Sequence, residues 1–218
     1  PSNKQTKKKT SILTLKHPWQ NNCDHNIWLA SSLKLTRNLE KFYFPAKLDR
    51  NKRQQILTLI EKHIANSKKF KSPNFLLAEN LSPHEKEFLS EHFLCSEGFF
   101  QAHTGEGFLI DKTSAILGTI NIRNHLQLTT LNTDENLESA WKQLTCLETE
   151  LEKNMSFAFS KRFGFLTADP QQCGTAFHAS LLLHLPALRL EQTFDNFTEE
   201  LKKESVTTKS LHGDEVHF

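Results

Sequence analysis

The chain has 218 residues, 37% hydrophobic and 24% charged, with 17 Phe against 7 Gly, a composition that excludes a disordered polymer and suits one large domain or one domain with a small appendage. A formal charge of +2 is too small to mark a nucleic-acid binder by itself, and no run reaches the ~18 apolar residues of a membrane span. Most of the Phe are expected in the core.

The opening stretch PSNKQTKKKT reads as part of a solvated basic tail over residues 1–15, ahead of one folded domain over 16–218. There is no charged-then-apolar leader, and Cys23, Cys95, Cys146 and Cys173 are scattered without a C-x-x-C pair. The expected setting is cytoplasmic, with reduced thiols. Cys23, Asp24 and His25 are adjacent but lack the spacing of a metal site, so no metal is expected.

Residues 27–35 read as a strand, followed by a loop through Phe42 to Pro45. From 49 to 66, Ile56, Leu59, Ile60 and Ile64 recur at helical spacing, which predicts an amphipathic helix. In LSPHEKEFL, Ser82 is a helix cap, Pro83 the first helical residue and Glu85 the partner in a capping box, so a second helix runs to about residue 94. The segments EGFFQAH, GFLIDK, AILGTIN and HLQLTTLN are short, rich in Phe, Ile, Leu and Thr, and separated by turn signals, which predicts consecutive antiparallel strands. Thr133, Asp134 and Glu135 introduce a long helix with Leu137, Trp141, Leu144, Leu151 and Met155 on one face, expected to pack across the sheet. After it come a short strand in FGFLT, a loop in ADPQQ, a helix over 174–190 ended or kinked at Pro186, and a polar helix over 194–203. With no repeats and no Gly/Ser linker, the chain reads as a single α+β domain.

Four stretches, ASSLKLTRNLEKFYFP, AENLSP, NIRNHLQL and above all FGFLTADPQQCGTAFHASLLLHLPAL, carry a resemblance. They resemble the guanidino-phosphotransferase, or phosphagen kinase, superfamily, and look closest to bacterial protein arginine kinases of the McsB type. There the matching stretches read close to S-S-R-I-R-L-A-R-N-L, N-E-E-D-H-L-R-I and G-Y-L-T-S-C-P-T-N-V-G-T-G-L-R-A-S. The resemblance implies a largely antiparallel curved sheet flanked by helices, as in the glutamine-synthetase-like catalytic domain of guanido kinases. It also implies a chain shortened at its C-terminal side, without the McsB regulatory domain.

Transfer of the ATP γ-phosphoryl group to a guanidinium needs cations around the phosphates and carboxylates to hold and deprotonate the nucleophile. A gap-free overlay puts Ser32 and Lys34 at the first two family arginines and keeps Arg37. Gln127 and His178 stand at two more, the late arginine falls on Lys209, and His125 matches the family's histidine. The nucleotide positions are thus largely degenerate, and lysine lacks the planar fork that suits phosphate. The N-E-E-D box becomes Asn121, Ile122, Arg123 and Asn124, and arginine cannot act as a base. The loop cysteine becomes Asp169, and Glu79 keeps a glutamate at shortened spacing. No catalytic residue is expected, Asp169 with Glu79 being the candidate for a new acidic pair.

Plainer readings stand beside these. Arg123 and Gln127 read as exposed strand residues, and His125 as a structural hydrogen-bonding residue. Cys173 reads as a small semi-buried residue or, ahead of a helix N-terminus, as a thiol of lowered pKa. Gly174 and Thr175 serve turn geometry and helix entry. The resemblance with these departures implies a pseudokinase without cofactor that works through protein contacts, with a McsA-type adaptor or the Clp protease machinery as implied partners. One alternative is an active protein arginine kinase using Mg-ATP, with Asp169 and Glu79 on the guanidinium and Lys34, Arg37 and Lys209 on phosphate. Another is a module binding an anion or nucleic acid through its basic tail.

Overall fold

The computed structural model describes residues 27–70, 72–91, 104–111, 115–133, 136–191 and 193–208. The tail, the Cys23 cluster, Cys95, the EGFFQAH segment and Lys209 lie outside them. No helix among the described residues is long and apolar enough to cross a membrane.

Strand β1, Trp28–Arg37, runs two residues further than its apolar pattern predicts. Helix α1, Arg50–Asn66, starts where expected because the Asp49 carboxylate accepts a hydrogen bond from the Lys52 backbone N at 2.8 Å. It buries Ile56, Leu57, Ile60 and Ile64. Strand β2, Asn74–Leu77, was not predicted: four residues give too short a pattern, and it forms by pairing with its neighbour. Helix α2, Pro83–Glu91, opens with the predicted capping box. The Ser82 backbone N donates to Glu85 Oε2 at 2.9 Å and the Glu85 N donates to Ser82 Oγ at 3.3 Å.

Strands β3, Gly107–Ile110, β4, Ile116–Ile120, and β5, Leu126–Asn132, follow as predicted. Helix α3, Leu137–Glu152, is capped by Asn136 and buries Ala140, Leu144, Leu147 and Leu151. The predicted face is thereby corrected: Trp141 is 39% exposed, with its ring edge-to-face against Phe177, 4.7 Å between centroids. A two-residue hairpin, β6 at Phe159–Ser160 and β7 at Gly164–Phe165, carries the chain to the ADPQQ loop.

The predicted helix over 174–190 is not there. Phe177–Leu183 is a seven-residue strand, β8, pairing antiparallel with β1 from Leu35↔Phe177 to Trp28↔Leu183. Sheet pairing along the whole of β1 overrides a local pattern that suits a helix. Pro186 opens a short helix, α4, Pro186–Leu190, the first-turn position where its missing N–H costs nothing. Helix α5, Phe194–Lys203, matches its prediction.

Among the described residues the main sheet has the order β2-β3-β4-β5-β1-β8, every neighbour antiparallel. On one side Leu33, Leu35, Leu109, Ile116, Ile120, Leu126 and Leu128 join α1 and α3 in the main core. Each fully buried Ile or Leu there contributes roughly 1.5–3 kcal/mol. On the other side Phe108, Ile110 and Leu117 pack with Leu89 of α2, over the β2–β4 half. Not every Phe is core: Phe70, Phe108 and Phe157 are buried, whereas Phe159, Phe163 and Phe177 are exposed.

One backbone position is decisive for the ADPQQ loop. Gly164 has φ +74°, and a Cβ there would lie 2.6 Å from the Gly174 carbonyl oxygen. Gly174 in turn exchanges both backbone hydrogen bonds with Phe165, at 2.8 and 3.2 Å. Gly164→Ala is therefore expected to lower stability by about 1–3 kcal/mol, read as a drop in the urea midpoint; an unchanged midpoint would contradict this packing.

Candidate functional site

The antiparallel registers bring the C-terminal ends of β1, β2 and β4 to one margin of the sheet, beside the N-terminal ends of β3, β5 and β8. That margin carries the 121–125 turn, Asn38 after β1, and the 166–176 loop. A closed polar network ties them together. Asn124 Oδ1 accepts from Asn38 Nδ2 and from the Ala168 backbone N, both at 2.8 Å. Asn38 Nδ2 also donates to the Leu166 carbonyl at 3.0 Å, and Asn38 Oδ1 accepts from the His125 N at 2.9 Å.

His125 is fully buried. Its Nδ1 accepts from the Leu39 N at 2.9 Å, which leaves the proton on Nε2 to be donated to the Tyr43 carbonyl, also at 2.9 Å. Burial pushes its pKa down to about 4, against a small opposing effect of the Tyr43 bond. A neutral imidazole with both nitrogens engaged on backbone groups is a structural brace, as the plainer reading had it.

The turn itself places the two positions that the resemblance sets against family acids, Ile122 and Arg123. Asn121, at φ +59°, is buried and donates from Nδ2 to the Arg53 and Gly105 carbonyls at 2.8 and 2.9 Å. Ile122 packs on the Phe108, Ile110 and Leu117 cluster. Arg123 is exposed, in the turn and not in a strand.

In the loop, the Asp169 carboxylate caps its own single 3-10 turn, Pro170–Gln172. It accepts from the Gln171 N at 3.1 Å and from Gln172 Nε2 at 3.0 Å. Glu79 stands exposed in the turn after β2, and the two carboxylates share no hydrogen-bonding partner among the described residues. Cys173 is half-buried, its sulfur 3.5 Å from the Thr167 N. No helix follows it, so the helix-dipole reading of its thiol and the helix-entry role of Gly174 and Thr175 both fall.

Strand alternation sorts the remaining positions. Ser32, Lys34 and Thr36 share one face of β1, opposite Thr129 and Gln127 of β5 and beside His178 and Ser180 of β8. Gln127 is buried, not exposed as predicted. Its Oε1 accepts from Thr119 Oγ1 at 3.2 Å, and its Nε2 donates to Thr36 Oγ1 at 3.4 Å. Arg37 points to the opposite face, away from Lys34 and His178. It is buried, paired with Glu148 of α3. It donates to the Thr175 carbonyl at 3.0 Å, and its guanidinium lies 3.7 Å from the Phe165 ring centroid. Burial lowers its pKa while Glu148 raises it.

Residues 54–217 match the family model for the ATP:guanido phosphotransferase C-terminal catalytic domain. The chain belongs to this family. Protein-arginine kinases are among its curated relatives. That of Chlamydia pneumoniae is 32% identical over 189 residues, 87% of this chain and 52% of the relative. That of Halothermothrix orenii is 30% identical over 191 residues, 88% and 54% of the two chains. The chain spans about half the length of the curated relatives it matches. The fold matches the substrate-free duplicated taurocyamine kinase from Schistosoma mansoni, with TM-score 0.75 and 24% identity over 95% of this chain and 30% of that one. It also matches lombricine kinase, with TM-score 0.72 and 16% identity over 94% and 59%.

Mg-ATP, which the family implies, fits poorly on the residues described. The sheet face opposite α1 and α3 offers Lys34 and His178 amid neutral Ser, Thr and Gln, with Gln127 hydrogen-bonded inward and Arg37 on the wrong side. A triphosphate carries several negative charges, and phosphoryl transfer relies on their neutralisation. The engagements of Asn38, Asn124 and Glu148 were missed from sequence. The R-N-L run at the end of β1 and just beyond it marks the first, but which residues it meets depends on the return of distant strands.

Proposed function

We propose that this guanido-kinase chain does not transfer phosphate and acts through protein contacts. The observation that carries this reading is the 121–125 turn, where a half-buried alkyl group, Ile122, and an exposed cation, Arg123, stand in place of the acids a guanidinium substrate needs. A guanidinium beside Arg123 meets repulsion rather than a base. The network through Asn38, Asn124 and His125 ties the turn, the end of β1 and the loop together through hydrogen bonds among their own groups, which a purely structural role needs. The McsA-type adaptor and the Clp machinery, in the cytoplasm, are the partners that the resemblance implies.

The test is calorimetric titration with Mg-ATP together with labelled-phosphate transfer to an arginine-rich protein substrate at high enzyme concentration. The expected outcome is no binding heat and no acid-labile phosphoarginine. Transfer that disappears in an Asp169→Asn or Glu79→Gln variant would overturn the proposal in favour of relocated catalysis.

A further inference from the structure

Away from the sheet margin, an open groove of about 710 Å³ runs between the end of α1 and the outer face of α3. Among the described residues its lining includes Lys68, Lys69, Lys142 and Lys153 against a single acid, Glu150, a net of three positive charges. We propose that this groove is a docking site for a short, extended, acidic peptide segment of a partner protein. The inference does not depend on whether the chain transfers phosphate.

Two hydroxyls of the groove are already engaged. Thr145 Oγ1 donates to the Trp141 and Lys142 carbonyls, at 2.9 and 3.2 Å, and Thr149 Oγ1 donates to the Thr145 carbonyl at 2.9 Å. What faces an incoming ligand is mainly apolar surface of the lysine stems, the threonine methyls and Cys146, with the ammonium groups as its charged points. Lys142 is paired with Glu138 one turn back, at 2.6 Å, both of them largely exposed. Lys68, Lys69 and Lys153 have no side-chain hydrogen bond or ion pair among the described residues. A cation just past a helix C-terminus offsets the helix dipole, which accounts for each of these lysines singly at ~0.3–1 kcal/mol. It does not account for their convergence on one groove, and none of the three donates to a helix carbonyl.

The dimensions favour a peptide. Lys142 on α3 and Lys153 at its C-cap are eleven residues apart, about 16 Å along the helix axis, the reach of about five extended residues. The volume lies within the ~300–1,000 Å³ of ligand clefts. Nucleic acid is the poorer match, because among the described residues the groove has no aromatic platform for base stacking and no arginine fork for phosphate. Lysines as point charges suit flexibly presented carboxylates.

The experiment uses the full chain and a fluorescein-labelled five-residue peptide of alternating Asp and Glu, read by anisotropy at ~10 mM salt, with competition by an unlabelled single-stranded oligonucleotide of equal charge. Saturable peptide binding is expected, lost by ~0.5 M salt. It should weaken at least tenfold in a Lys142→Glu/Lys153→Glu variant of unchanged urea midpoint, and stay unchanged in Lys202→Glu/Lys203→Glu on α5 and in Lys7→Ser/Lys8→Ser/Lys9→Ser in the basic tail. Cys146, exposed in the groove, supplies a readout free of mutation: the peptide should slow its modification by a maleimide, located by mass spectrometry. Absence of binding, tighter binding of the oligonucleotide, equal losses in the α5 or tail variants, or an unprotected Cys146 would each overturn the proposal.

Discussion

Replacing Arg37 with leucine is expected to lower the unfolding free energy by about 3–5 kcal/mol, because one partner of a buried ion pair is removed and the other stays behind. Arg37 is 5% exposed, and its guanidinium is enclosed by Glu148, the Thr36 and Thr175 carbonyls and the Phe165 ring. Leucine fills part of the volume but leaves the Glu148 carboxylate without its cation. In the double variant Arg37→Leu/Glu148→Leu much of the loss should be recovered, since apolar replacement of a whole buried pair is often close to neutral. Urea denaturation of both variants reads this directly. A single-variant loss below about 1 kcal/mol, the scale of an exposed pair, would show that the pair is not the brace described. The same variant separates two roles: a phosphate ligand would leave stability nearly untouched, whereas a strut between β1, α3 and the 166–176 loop cannot.

That arginine also shows what was legible in the sequence. The motif T-R-N-L identifies it, and the period-2 rule of a strand assigns Lys34 and Arg37 to opposite faces once β1 is known to reach residue 37. A strand taken to end at 35 hides this. Local signals with a self-contained mechanism were readable: the capping box at Ser82 and Glu85, the helical spacing of α1 and α3, and the polar α5. Where an element exists because of a distant partner, they were not. Strand β8 reads as a helix in LLLHLPAL until β1 claims its backbone hydrogen bonds, and β2 is a strand only beside β3. The candidate site divides likewise. That Ile122 and Arg123 carry no carboxylate is plain from residue types, but the local capping by Asp169 and the inward bonding of Gln127 needed coordinates. Chemistry that a side chain can no longer do is readable from its identity; what it does instead depends on what surrounds it.

The brace at His125 makes stability depend on pH in a predictable direction. Its folded pKa is pushed down to about 4 from an ordinary 6.5, so above pH 6.5 both folded and unfolded states hold it neutral and its full contribution is present. Between pH 6.5 and 4 the unfolded chain takes up a proton that the folded chain refuses, and stability falls by about 1.4 kcal/mol per pH unit, about 3 kcal/mol in all. Below pH 4 this contribution no longer changes. The physical cause is geometric: Nδ1 receives the Leu39 N–H and Nε2 already donates to Tyr43, so a second proton must displace the Leu39 bond in a site closed to water. His125→Asn keeps an acceptor for the Leu39 N–H and cannot titrate. The variant is expected to be the less stable protein at pH 7, with the gap between the two urea-denaturation curves closing by about 3 kcal/mol as the pH is lowered to 4. Carboxylates and exposed histidines are common to both proteins and cancel in that difference. Parallel pH profiles would mean that His125 is not held neutral, and with it would go the account of how the turn, β1 and the 166–176 loop are fastened together.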